Sequence, residues 1–256
     1  MKHLILLLAL ALSLGAAAQN AYEYNGDRID LETHYFNCQY MGKLSGNKKQ
    51  PYLGFATSGN IAVSTQNGSI TIYRIAGTEL RKIKQLKLAE AGSASFGTDE
   101  QLFVSNAGNL AAMKLSDDHK TIESTSLITI KSAKPNFWVA DAESPTLYAL
   151  TNKSGKLSVL KFAQPSGETE LNAGDSLEQF TLSSGTSTLQ IKGLCVSGGL
   201  LFATTATQLY VWDLATRSLR NVINLKQAIK APVSHCSVSD GTLLVTAQGQ
   251  VYQLTF

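Results

Sequence analysis

Cysteine, proline and charge are all scarce in this chain of 256 residues. Three cysteines exclude a small fold built on disulfides, and the odd count leaves at least one thiol unpaired. All three read most simply as small buried hydrophobes; a disulfide between two of them stays open, and no spacing selects the pair. Charged residues make up 16% and hydrophobic residues 44%, a globular balance that excludes disorder, collagen and coiled coil. The net charge of +3 is too small for a dedicated nucleic-acid binder. The sequence also lacks H-E-x-x-H, C-x-x-C, the G-x-S-x-G elbow, G-x-G-x-x-G and a phosphate loop.

No apolar run is long enough to span a bilayer. The longest, residues 4–18 (LILLLALALSLGAAA), falls short of the roughly 20 residues a spanning helix needs. It follows Lys2 and His3 and ends in Ala16-Ala17-Ala18, an A-x-A-type cleavage site. Residues 1–18 are therefore expected to be a signal peptide and residues 19–256 the folded domain; an uncleaved anchor helix is the alternative. No cysteine stands at the cleavage point, which argues against a lipoprotein. The expected location is periplasmic or secreted, with no transmembrane span in the mature chain.

What is present is a repeat. Residues 54–73, 95–115, 137–162, 193–214 and 235–256 align as five units. Each has a short strand, a tight polar turn, a second strand rich in small residues, another Gly/Asn/Gln turn and a third strand. The first four units add a fourth strand, for example 82–88 (KIKQLKL) and 219–225 (LRNVINL). Phe55 to Phe96, Phe96 to Phe137 and Cys195 to Cys236 are each 41 residues apart, and only the third unit is lengthened, around 164–176. Four strands in about 40–45 residues is the arithmetic of a propeller blade. The expected fold is all-β: a single β-propeller of five four-stranded blades, with six as the alternative. The last unit has only three strands, so an N-terminal strand, Arg28–Phe36, is expected to complete it and close the ring.

Residues 208–220 (QLYVWDLATRSLR) resemble the third strand and following turn of a WD40 repeat, with Trp212-Asp213 as the WD dipeptide. The other units are similar to YVTN or lactonase-type propeller repeats. The resemblance covers about residues 52–256 and implies a propeller, but no particular catalytic or binding residue. Trp212 is expected to pack within or between blades.

Chemistry is thinly represented. A glycosidase would need two carboxylates facing the sugar, yet the five first strands contain no Asp or Glu. Asp99, Glu100, Asp141, Glu143 and Asp240 follow them in turns, where acids are common. A calcium-dependent lactonase would need several oxygen ligands converging in the channel, more than Asp141 supplies. His34, His119 and His235 share no metal-binding spacing. Among them His235 is the best single candidate for a functional role, because first strands line a propeller's channel. Asn67-Gly68-Ser69 and Asn152-Lys153-Ser154 match the glycosylation sequon. No catalytic residue, metal site or cofactor is expected.

Loop type sorts the charges unevenly. Loops between blades and between second and third strands share one face of a propeller. That face receives ten lysines, among them Lys43, Lys48, Lys131, Lys134, Lys192, Lys226 and Lys230, against one acid, Glu90. The opposite loops receive the acids, Glu168 and Glu170 included. The expectation is a binding or scaffold protein whose site, formed by Lys131, Lys134, Lys192, Lys226, Lys230 and His235, meets an anionic protein segment, polysaccharide or lipid headgroup rather than nucleic acid. The competing readings are a propeller enzyme of lactonase or glycoside-hydrolase type and a structural subunit of an envelope assembly.

Overall fold

The computed structural model describes residues 21–24, 27–30, 37–106, 109–131, 135–186, 188–239 and 241–255. The expected signal peptide lies outside the described residues, as do Lys134 and Asp240. The described residues form a five-bladed β-propeller. Blade 1 comprises Gly54–Ser58, Ile61–Gln66, Gly68–Ala76 and Glu79–Leu88. Blade 2 comprises Ala91–Phe96, Leu102–Asn106, Asn109–Leu115 and Ile122–Ile130, and blade 3 Phe137–Ala140, Thr146–Lys153, Lys156–Ala163 and Glu178–Ser183. Blade 4 comprises Gly193–Ser197, Leu200–Thr204, Gln208–Asp213 and Ser218–Asn224. Blade 5 comprises Val233–Ser239, Thr242–Ala247, Gln250–Thr255 and, as its outermost strand, Asn37–Lys43.

Closure thus comes from the N-terminal side, but nine residues later than the sequence suggests. Asp27–Asp30 pairs with Ala21–Tyr24 in a separate two-stranded sheet. Asn37–Lys43 runs antiparallel to the last strand, with Tyr40 opposite Tyr252 and Cys38 opposite Leu254. Both segments alternate, so local pattern does not separate them. The connection to blade 1 does: from Lys43 it takes residues 44–53, whereas closure by 28–36 would leave a structureless stretch of seventeen residues before Gly54. The chosen strand also turns Met41 inward, against Phe55, Ala62 and Tyr73 of blade 1 and Leu244 and Val251 of blade 5.

The apolar core is divided into five clusters, and each joins two neighbouring blades. Val63, Ile70 and Ile72 of blade 1 meet Leu102, Val104 and Met113 of blade 2. Leu110 and Ile128 meet Trp138, Leu147 and Phe162 across blades 2 and 3. Leu150, Val159 and Leu182 meet Tyr210 and Trp212 across blades 3 and 4. Leu209, Val211 and Leu225 meet Leu243 and Val245 across blades 4 and 5. Trp212 is fully buried, stacks on Tyr210 at 5.7 Å between centroids and donates its Nε1–H to the Ser183 carbonyl of blade 3 at 2.8 Å. It is an inter-blade packing residue, and full burial of a side chain of that size stabilises by roughly 3 kcal/mol.

Each innermost strand touches its two neighbours around the axis. At the closest approaches there is no room even for a methyl group. A Cβ at Gly54 would stand 2.5 Å from the Ala94 backbone nitrogen, and one at Gly193 would stand 2.6 Å from the His235 Cα. Side-chain hydrogen bonds tie the blades at this level. Thr57 N–H donates to Ser237 Oγ at 2.9 Å, linking blades 1 and 5, and Ala140 N–H donates to Ser95 Oγ at 2.9 Å, linking blades 3 and 2. Thr65 Oγ1 donates to the Gly92 carbonyl, linking blades 1 and 2.

The insertion in blade 3 has a structural job. Its segment Thr169–Leu171 adds parallel to the outer strand of blade 2, opposite Ile128–Ile130. Gln164, at its base, donates to Thr98 Oγ1 and Gln101 Oε1, both at 3.1 Å. Blade 3 therefore clasps blade 2 along the outer edge.

Two outcomes follow. Gly193→Ala should destabilise by about 2 kcal/mol, because backbone rather than a movable side chain blocks the new methyl; a urea midpoint equal to that of the parent would contradict this packing. His235 is 8% exposed, and burial pushes its imidazole down to about 4, offset in part by a backbone hydrogen bond at Leu53. The fold favours the neutral ring, so the unfolded chain takes up a proton first as pH falls. Stability from this group is complete above about pH 6.5 and is lost as pH falls through about 4, in total about 3 kcal/mol. His235→Gln should flatten the rise of stability between about pH 4 and 6.5 in urea titrations; parallel curves for the two proteins would contradict it.

Candidate functional site

The channel itself offers little room. Its mouth on the face of the inter-blade connections is ringed by Phe55, Ala94, Trp138, Leu194, Lys192 and His235, among others, and holds about 30 Å³. Deeper, between Ala56, Ser95, Ala140, Cys195 and Ser237, about 10 Å³ remains. A small-molecule pocket runs to roughly 300 Å³ or more. His235 is held by protein partners: its backbone N–H donates to Thr246 Oγ1 at 3.2 Å, Nδ1 lies 3.3 Å from the same oxygen, and the ring also meets the Leu53 backbone.

The acids beyond the first strands are engaged in turns. Asp141 is buried; its carboxylate accepts from Glu143 N–H at 3.0 Å and Ser144 Oγ–H at 2.8 Å. Glu143 accepts from Ser197 Oγ of blade 4. The Asp141 carboxylate thus braces its own turn, and that of Glu143 holds the blade 3–4 junction. On the face opposite the inter-blade connections a concavity of about 180 Å³ lies between blades 1 and 2, lined by Asp99, Glu100, Asp117, Lys114 and His119. Among the described residues no group of three or more His, Cys, Asp or Glu is placed to hold a metal ion. Among them, too, no helix is long and apolar enough to cross a membrane.

A larger concavity, about 660 Å³, opens beside the channel mouth on the lysine-bearing side. Five segments build it: residues 43–52 at and after the end of the closing strand, Lys192 just before blade 4, the blade 4 turn at Ala206, residues Pro232–Ser234 at the entry to blade 5, and the turn Gln248–Gln250 of blade 5. Lys43, Lys48 and Lys192 line it, all exposed, together with Pro51, Tyr52 and Pro232, and no acidic side chain does so. The lysines stand on a firm base. Buried Gln66 accepts from Asn47 N–H at 2.8 Å and donates to the Asn47 and Gln50 carbonyls, both at 3.0 Å. Tyr73 Oη accepts from Ser45 N–H at 2.7 Å. Tyr52 donates to the Leu44 carbonyl at 2.9 Å, and burial, followed by the nearby Tyr73, pushes its phenol up to about 12. The ring stays a neutral apolar wall with a polar tip.

The structure gathers the expected site residues only in part. Lys192 lines both the groove and the channel mouth, and His235 sits in that mouth. Lys226 and Lys230 are exposed on the blade 4–5 connection that supplies one groove wall; Lys230 Nζ donates to the Gln227 carbonyl at 3.1 Å. Lys131 stands elsewhere on the ring, at the blade 2–3 connection, paired with Glu170 at 2.7 Å. Glu170 belongs by loop type to the acidic face, but the parallel strand Thr169–Leu171 carries it along the edge of blade 2 to Lys131. Tyr52, Pro51 and Pro232 were not singled out from the sequence. Of the two sequons, Asn67 is exposed at a turn, whereas Asn152 Nδ2 donates to the Leu189 carbonyl at 2.6 Å.

No protein-family model and no curated protein matches the chain. The fold, in contrast, is shared with many solved structures. One is a glutaminyl cyclase from Myxococcus xanthus, 13% identical, aligned over 85% of this chain and 95% of that one with a TM-score of 0.57. At that identity the likeness is one of fold, and it places this chain among β-propellers.

Proposed function

We propose that this protein is an exported propeller that works as a binding or scaffold module, with the lysine-lined groove beside blades 4 and 5 as its recognition site. The observation that carries the reading is the contrast between the two concavities on one side of the disc. The channel mouth has about 30 Å³ and a neutral, internally bonded histidine, whereas the rim groove has about 660 Å³ and three exposed lysines. Three like charges on a rigid wall attract an anionic partner from a distance and fix its register on contact. Leu44, Tyr52 and Val233 among the lining residues favour an acidic polypeptide segment bearing some apolar side chains over a polysaccharide or lipid headgroup.

The enzyme reading draws on the fold likeness to a glutaminyl cyclase and on lactonase and glycosidase propellers. Against it stand the volume of the channel, the engagement of Asp141 in its own turn and that of Glu143 in the blade 3–4 junction.

Binding of a fluorescein-labelled peptide of alternating Glu and Phe, followed by anisotropy, tests the proposal. Affinity should fall about tenfold or more in a Lys43→Glu/Lys48→Glu/Lys192→Glu variant and should weaken as salt rises past about 0.15 M, where the Debye length is about 8 Å. Lys131→Glu should leave it unchanged. No binding, or equal binding by the triple variant with an unaltered melting curve, would overturn it.

A further inference from the structure

The innermost strands of blades 4 and 5 carry a pair of cysteines that the fold brings together. Cys195 and Cys236 are 41 residues apart, one repeat period, so they occupy equivalent positions on adjacent inner strands. Their Sγ atoms are 3.5 Å apart. Both are buried, at 7% and 1% exposure, within the apolar cluster that joins the two blades. A disulfide needs its sulfurs at about 2.05 Å, so side-chain adjustments of under an ångström each would complete one. The third cysteine is excluded by topology. Cys38 lies on the outermost strand of blade 5 and Cys236 on the innermost, three strand spacings of about 4.8 Å apart, beyond the roughly 7 Å that a disulfide bridges between Cα atoms.

We infer that Cys195 and Cys236 form an inter-blade disulfide when the chain folds in the presence of a small-molecule or protein disulfide, and that Cys38 remains a free thiol. The thiolate of one cysteine attacks the donor disulfide and expels one donor thiolate. The thiolate of the second then attacks the sulfur of the mixed disulfide and expels the other. Two protein thiols are oxidised by two electrons, the donor disulfide is reduced to two thiols, and the two protons released pass to the donor. The reaction belongs to the folding chain rather than to the finished propeller. Burial, then the neighbouring Cys236, pushes the Cys195 thiol well above the ordinary range, and neither sulfur is open to a reagent. Bond formation therefore precedes docking of blade 5 on blade 4, or accompanies its transient opening. The bond would cross-link the two blades beneath the wall formed by Ala206, Pro232 and Ser234, independently of what binds in the groove above.

The test is to refold the full chain in a glutathione redox buffer, quench with acid, alkylate the remaining thiols and read intact mass and a proteolytic map. One alkyl group, on Cys38, and a linked Cys195–Cys236 peptide pair are expected. Three alkyl groups on folded monomer, or a linkage that includes Cys38, would overturn the inference. Cell-free synthesis with oxidised glutathione and a disulfide isomerase gives the same readout without a refolding step. Dithiothreitol should lower the melting temperature of the oxidised protein, and of its Cys38→Ser variant, by about 10 °C. A melting temperature unmoved by reduction would count against a bond at this position.

Discussion

Five strands meeting around one axis set the terms for the rest of this molecule. At that radius neighbouring backbones approach so closely that Gly54 and Gly193 have no room for a methyl group, and Ala56, Ala94, Ser95, Ala140, Cys195 and Ser237 are among the small residues that stand beside them. Buried small polar side chains on the inner strands bond to the next blade: Ser237 to Thr57, Ser95 to Ala140, Thr65 to Gly92. Larger apolar side chains lie further out and pack between blades rather than within them. The clusters thus join each blade to its neighbours, and Asn37–Lys43 completes the last blade.

The same crowding decides where recognition is placed. A packed axis leaves no volume for a substrate, and the acids nearest to it are spent on turn and junction bonds. What stays free is the rim, where connections of different length leave gaps between blades. One of about 660 Å³ lies where the chain crosses from its closing strand to blade 1; that crossing is pinned by Gln66 and Tyr73, and Lys43 and Lys48 line the groove together with Lys192. Closure and the proposed site are therefore two consequences of one crossing.

Much of this is legible in the sequence. The 41-residue period from Phe55 to Phe96 to Phe137, the hairpin turns and the three-stranded final unit together gave five blades with N-terminal closure. Sorting lysines by loop type put Lys43, Lys48 and Lys192 on one face, and all three line the groove. The failures have a common physical origin. Arg28–Phe36 and Asn37–Lys43 both alternate, and only pairing with Gln250–Thr255 and the length of the next connection choose between them. Lys131 was expected among the binding lysines; the insertion of blade 3 crosses to blade 2 and pairs it with Glu170, a path that no local pattern encodes. The cysteine pair was within reach of the sequence: two cysteines one repeat apart must fall on equivalent inner strands, and at the axis equivalent positions touch.

The central claim is that this propeller recognises its partner at the rim between residues 43–52 and the blade 4–5 connection, with the axis serving only to hold the blades. Hydrogen–deuterium exchange of the full chain with and without excess poly-glutamate tests it most directly. Slower exchange is expected in residues 43–52, 226–234 and 248–250, with the innermost strands Gly54–Ser58 and Gly193–Ser197 unchanged. Protection confined to the innermost strands, or to the acidic rim at Asp99–His119, would contradict the account.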